Sequence, residues 1–176
     1  MNIRNALAGS ACVATALALV PASAGADSLK FDGARTSPGT KEITSYSWGV
    51  SNQGSSSSGG GGGAGRTSFS ELTVSAPLSA NSPSFSNRAA TGQPVTRAQV
   101  YVDGNEVFGM GFCMENVEFT QYDLSGSDDE LGNETITMQY EKLSQVVFIE
   151  GTFVTAVFDL RTSKFTITTT NPCPSG

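Results

Sequence analysis

The sequence predicts a mainly β protein, an antiparallel two-sheet β-barrel with one short flanking α-helix. Three observations predict it. Apolar residues recur at every second position: Tyr46, Trp48 and Val50 alternate with Ser47 and Gly49, and Ile136, Met138 and Tyr140 alternate with Thr137 and Gln139. That is the period of a half-buried strand. Turn chemistry recurs at short spacing, at Pro38-Gly39, Asp103-Gly104-Asn105, residues 125–133 and Arg161-Thr162-Ser163-Lys164. Eight or nine short strands set apart in this way suggest a sandwich or barrel. One stretch, residues 82–90, carries helix start and stop signals.

In chain order, Ser28-Leu29-Lys30-Phe31-Asp32 reads as a first strand and residues 33–40 as a loop. Residues 42–50 read as one strand holding the only tryptophan. The Ser/Gly run at 52–65 reads as a flexible loop, because such a composition has nothing to bury. Residues 69–76 form the next strand, with Leu72 and Val74 on one face, and Pro77 ends it. In the helix, Ser82 is the cap, Pro83 suits the first turn and Gly92 closes it. Residues 96–102 are a strand that turns at 103–105 into a hairpin partner. Residues 112–122 put Val117 and Phe119 on one side and Glu118 and Thr120 on the other. After the acidic turn at 125–133 come strands at 135–141, 145–149, 152–160 and 165–169. Residues Val146 to Ile149, with Phe153 and Val154, are apolar on both faces. An antiparallel sheet with one solvated face would alternate. Either the helix and tail cover this surface, or a neighbouring subunit does.

At 176 residues a single domain is expected, spanning 25–176. Residues 1–24 read as a secretory signal peptide: Arg4 at the front, an uncharged apolar run from Ala6 to Val20, then Pro21-Ala22-Ser23-Ala24. Cleavage is expected after Ala24, with Ala26 as second choice. The apolar run is short of the roughly 20 residues that span a bilayer. The formal net charge is −6, and cleavage removes Arg4 and no acid. Such a surface is unsuited to nucleic acid or an anionic membrane, which attract clustered Lys and Arg. The localisation expected is periplasmic or extracellular. Cys113 and Cys173 remain after cleavage. An even count in an exported chain permits a disulfide, worth about 4 kcal/mol on the entropic account; two free thiols are the other reading.

There is no histidine. This removes Ser-His-Asp and Cys-His nucleophilic systems and the commonest metal ligand. Asp128-Asp129-Glu130 lacks the spacing of a calcium loop and reads as a solvated turn. The glycines from 59 to 63 are not a phosphate loop, for no G-K-[ST] follows. No catalytic, cofactor or metal residue is expected.

Several stretches together resemble the Hcp family, the tube proteins of bacterial type VI secretion systems. Leu29-Lys30-Phe31-Asp32-Gly33 is similar to the family's opening strand. Residues 43–52, ending Ser47-Trp48-Gly49-Val50-Ser51-Asn52, are similar to its second strand. Leu72-Thr73-Val74, Ser82-Pro83 and Ala90-Thr91-Gly92 resemble its strand, helix and helix-ending turn. Val117-Glu118-Phe119, Ser125-Gly126-Ser127, Asp129-Glu130-Leu131 and Glu134-Thr135-Ile136-Thr137 resemble its long hairpin. The order holds over residues 28–150. The resemblance implies hexameric rings stacking into a hollow tube, tipped by a spike protein and carrying effector cargo. It implies a core of Tyr46, Trp48, Gly49, Val50, Leu72, Val74, Val117, Phe119, Ile136, Met138 and Tyr140. It also implies an interface that includes Ser51, Asn52, Val147 and Ile149. Two features depart from the family pattern: the signal peptide, since family members are loaded from the cytoplasm, and the Ser/Gly composition of the loop that helps rings stack. The expected function is a structural, tube- or ring-forming, exported, non-enzymatic protein. The alternative is a monomeric secreted barrel that binds a glycan, cell surface or effector through an exposed Trp48.

Overall fold

The computed structural model describes residues 27–31, 40–52, 67–105, 108–128 and 130–173. The segment at 1–24, the loop from 53 to 65, Pro38-Gly39 and Asp129 lie outside the described residues. Within them are eleven strands and one helix: β1 (Ser28–Phe31), β2 (Thr40–Glu42), β3 (Ser45–Ser47), β4 (Val50–Asn52), β5 (Thr67–Phe69), β6 (Leu72–Pro77), α1 (Ser82–Thr91), β7 (Val95–Asn105), β8 (Phe108–Ser127), β9 (Glu130–Ile149), β10 (Thr152–Asp159) and β11 (Lys164–Thr168).

The organising element is the antiparallel pair of 20-residue strands, β8 and β9. The sequence reading broke β9 into two strands, at 135–141 and 145–149. The chain instead runs straight through Lys142, Leu143 and Ser144, because β8 pairs with it along its whole length. On its other edge β9 changes partner. Its first part, residues 133–138, pairs β6, and its second, residues 142–149, pairs β10. Asn116 has φ 52 and donates from Nδ2 to Glu141 Oε2 at 2.8 Å, level with that change. Asparagine is among the few residues that tolerate this left-handed backbone.

One short segment bridges the two ends of the curled sheet, without a ladder of its own between them among the described residues. From β9 the order runs through β8, β7, β1 and β2 on one side, and through β6 and β3 on the other. β2 and β3 are consecutive in the chain. Residues 40–42 pair β1, then Thr44 N donates to Ser75 O and residues 45–47 pair β6. The strand expected at 42–50 is thus broken so that it can join two edges. It breaks again at Trp48-Gly49, after which β4 forms a separate two-stranded ribbon with β5. Val50 belongs to that ribbon and is 49% exposed. Its placement in the core is corrected: the period-2 pattern does not survive the change of direction at Gly49.

Other boundaries move for similar reasons. Asp103-Gly104-Asn105 is not a free turn, since β7 runs to Asn105 with a register shift after Val102. The turn at 125–133 shrinks to its tip, because β8 reaches Ser127 and β9 begins at Glu130. Asn81, not Ser82, stands at the helix cap position, and the Ser82 hydroxyl accepts from Ser79 N at 2.9 Å instead. Gly92 ends the helix in the left-handed conformation (φ 62), which costs glycine little. Glu150 and Gly151, both at positive φ, make the two-residue link between β9 and β10. Asp159 accepts from Thr162 N at 2.9 Å in the β10–β11 turn, and that bond holds its carboxyl below the usual range.

The barrel interior is filled by Leu29, Leu72, Val74, Val100, Phe112, Met114, Phe119, Ile136, Met138 and Leu143, all with 2% exposure or less. α1 seals one side. Phe85 packs tilted against Phe31 and edge-on against Phe119, with ring centroids 4.7 and 5.6 Å apart. Such aromatic contacts contribute roughly 0.5–1.5 kcal/mol each beyond their burial.

Candidate assembly surface

Of the core residues expected from the sequence, Leu72, Val74, Val117, Phe119, Ile136, Met138 and Tyr140 are buried, and Tyr46 and Trp48 are half-buried. Gly49 lies at the turn out of β3, where its N–H donates to Ser70 Oγ and its carbonyl accepts from Ser70 N. The indole Nε1 of Trp48 donates to Tyr140 Oη at 2.5 Å, and Tyr140 Oη donates to Ser70 O at 2.9 Å. The indole also packs on Phe112 and Phe158 at 5.6 and 5.8 Å. Trp48 is therefore held on both its polar and its apolar sides. Burial pushes the Tyr140 phenol up.

A buried ion pair, not legible in the sequence, locks the closing segment. Lys41 and Glu134 side chains are 1% and 0% exposed, with Nζ 2.5 Å from Oε1. Lys41 also donates to Pro77 O at 2.6 Å and Ser79 Oγ at 3.0 Å. Tyr122 Oη donates to Glu134 Oε2 at 2.8 Å. A buried charge must be paired and hydrogen-bonded to be tolerated; here the ammonium has two hydrogen-bond acceptors besides the carboxylate, whereas among the described residues Glu134 Oε1 meets only Lys41 and Oε2 only Tyr122. Burial, and then the Glu134 carboxylate, push the Tyr122 phenol up to about 12. A raised phenol favours the folded state fully below pH 10, and this contribution is lost as pH climbs from 10 to about 12. In a spectrophotometric titration Tyr122 is expected to ionise last or with unfolding. Tyr122→Phe should remove the latest step; a normal phenolic midpoint for all four tyrosines would contradict the buried Glu134 bond.

The surface feature that stands out is where the sheet leaves the barrel. Cross-strand registers place side chains in rows on the face that lines the interior. One row runs Leu29, Val100, Phe112, Gln145, Ala156, Ile167. Exposure rises along it, from 0% at Leu29 to 80% at Ile167. A second row runs Phe31, Ala98, Met114, Leu143, Phe158, Phe165, and ends 48% exposed. A third runs Val102, Met110, Val147, Val154, and ends 46% exposed. β10 and β11 thus form a flap whose core-type face continues beyond the core, and the outer edge of β11 has no strand beside it among the described residues.

Of the expected interface residues, Ser51 and Asn52 are exposed on β4, Ile149 is exposed at the end of β9 and Val147 is half-buried in the third row. Ser51 and Asn52 sit on the separate ribbon, apart in sequence and in sheet from Val147 and Ile149. Phe165 and Ile167 escaped the sequence reading. The period-2 pattern of Phe165-Thr166-Ile167 marks a strand but does not say that the face ends in solvent. Cys113 and Cys173 are bonded to each other, with Cα atoms 5.8 Å apart. No group of three acidic or cysteine side chains suited to a metal occurs among the described residues. No helix among them is long and apolar enough to cross a membrane.

Comparison with known proteins matches residues 32–146 to the family described as type VI secretion system effector, Hcp. Among solved structures, Hcp1 from Salmonella typhimurium is similar with a TM-score of 0.65 at 20% identity, over 80% of this chain and 98% of that one. A structure described as a type six secretion system protein gives 0.67 at 18%, over 81% and 100%. A type VI secretion system effector from Yersinia pestis gives 0.59 at 16%, over 76% and 98%. At these identities the likeness is one of fold. Sequence comparison with curated proteins gives no match.

Proposed function

Because this chain belongs to the Hcp family of type VI secretion system tube and effector proteins, we propose that it is exported by its leader, cleaved after Ala24, and closes as a single domain into six-membered rings. The observation that carries this reading is the flap. Three rows of side chains that begin in the core end exposed at Ile167, Phe165 and Val154. An apolar face of this kind, next to an open strand edge, is stabilised by a second copy. Stacking through the loop after Asn52, a spike protein at the end of the stack and effector cargo in the lumen complete the reading by family. The role is structural. What supports that role is membership of a family of tube proteins. The alternative, a monomeric binding barrel with Trp48 as platform, has less support, since Trp48 is hydrogen-bonded to Tyr140 and packed on Phe112 and Phe158.

The test is the mass of the mature chain, purified with its disulfide intact, by light scattering and negative-stain microscopy. Rings of six are expected. Ile167→Asp with Val154→Asp should yield monomers that melt close to the wild-type monomer. A wild-type chain that stays monomeric at high concentration would end the ring reading.

A further inference from the structure

The face of the flap opposite the apolar rows is covered by the chain's own tail. After β11 the chain turns back across the sheet. Thr170 O accepts from Thr155 Oγ1 at 2.8 Å on β10, and Cys173 then reaches Cys113 on β8. The tail thus crosses β10 and β9 on its way. Beneath it, Thr155 is 0% exposed, and Val146, Cys113 and Cys173 form a small core of their own against Phe153. Cys173 N donates to Asn171 Oδ1 at 2.9 Å, which shapes the last turn. Beside the tail lies a cavity of about 410 Å³, bordered by Tyr101, Gly109, Gly111, Phe148, Phe153 and Asn171. Besides this strap, the flap is held to the barrel by its pairing with β9, by the bond from Leu160 N to Glu141 O, by Phe158 and Leu160 packed on the core, and by the ring contacts of Phe153, Phe158 and Phe165. The bond between Cys113 and Cys173 is the strap's only covalent fastening among the described residues.

We propose that the Cys113–Cys173 bond is a redox latch that sets the flap in the position from which subunits assemble. The latch rests on the ring reading for its effect on assembly, and on the strap alone for its effect on the flap. The chemistry is thiol–disulfide exchange. A dithiol reductant gives up two electrons and two protons, becomes a cyclic disulfide, and leaves Cys113 and Cys173 as free thiols. With the bond open, residues 169–173 keep only isolated hydrogen bonds and the small packing of Cys173 on Val146 and Phe153, and Thr155, Val146 and Phe153 become open to water. With the bond closed, β10 and β11 are fixed against β8. The latch closes only where thiol reductants are scarce, so a chain kept reduced before export carries a loose flap and does not polymerise early.

The experiment is hydrogen–deuterium exchange by mass spectrometry on the mature chain, with and without dithiothreitol, alongside light scattering of the same samples. Reduction is expected to speed exchange of β10 and β11 at least tenfold, leave β7 and the second half of β8 unchanged, and break rings into monomers. Cys173→Ser should behave as the reduced wild type, with unchanged β7 exchange showing that it folds. Unaltered flap exchange on reduction overturns the latch. Faster flap exchange in rings that persist overturns its control of assembly. A chain monomeric in both states, yet with faster flap exchange on reduction, overturns the ring reading and upholds the latch itself.

Discussion

Glu134→Ala is expected to cost about 3–5 kcal/mol of folding stability, because it leaves the Lys41 ammonium buried without its counter-charge. For a domain of this size that lowers the melting temperature by roughly 10 °C. The rest of the pair's neighbourhood makes the effect specific. Lys41 keeps Pro77 O and Ser79 Oγ, which are dipoles and not charges, and Tyr122 loses its acceptor. The double change Lys41→Met with Glu134→Leu should recover most of the loss, since a buried pair replaced as a unit by apolar residues is near neutral or stabilising. Thermal melts of the three chains decide the matter. A single variant that melts within about 1 °C of wild type would show that the pair is hydrated and not buried.

Phe112→Ala should be nearly as costly, about 3–5 kcal/mol, through the cavity it opens. Phe112 is 2% exposed and touches both Tyr46, at 5.7 Å between ring centroids, and Trp48, at 5.6 Å. The site has a built-in reporter, since Trp48 is the only tryptophan. Its emission is expected to shift to the red as water enters beside the indole. Unchanged emission together with a large loss of stability would mean that the cavity collapses around Trp48.

Much of the barrel was legible because its core strands keep strict alternation where only one face is buried. Ile136-Thr137-Met138-Gln139-Tyr140 is the clearest case, and Leu72 and Val74 follow the same logic. Thr137 is the exception within that run: read as outward, it is buried, 3.3 Å from the Thr73 hydroxyl across β6 and β9. The helix was readable from Pro83 and Gly92, which act locally. Val50 misled because alternation is a local pattern and the chain's change of sheet at Gly49 is not. The Lys41–Glu134 pair was hidden for the same reason: 93 positions separate two charged residues that each look like surface. The flap's rows could not be read at all without the register, since Ile167 gains meaning only from the four strands that lie between it and Leu29.

The segment at 40–47, which changes partner from β1 to β6, also sets the order in which the molecule can form. Strands β7 to β11 make a meander of successive hairpins, each closed by a short link. These close quickly, because nearby residues lose little chain entropy on meeting. The ladders from β1 to β7 and from β6 to β9 join residues about 60 or more positions apart, and such non-local pairing is slow. The part of the chain made first is therefore the part seated last. Lys41 meets Glu134 only once the C-terminal half has given it somewhere to go.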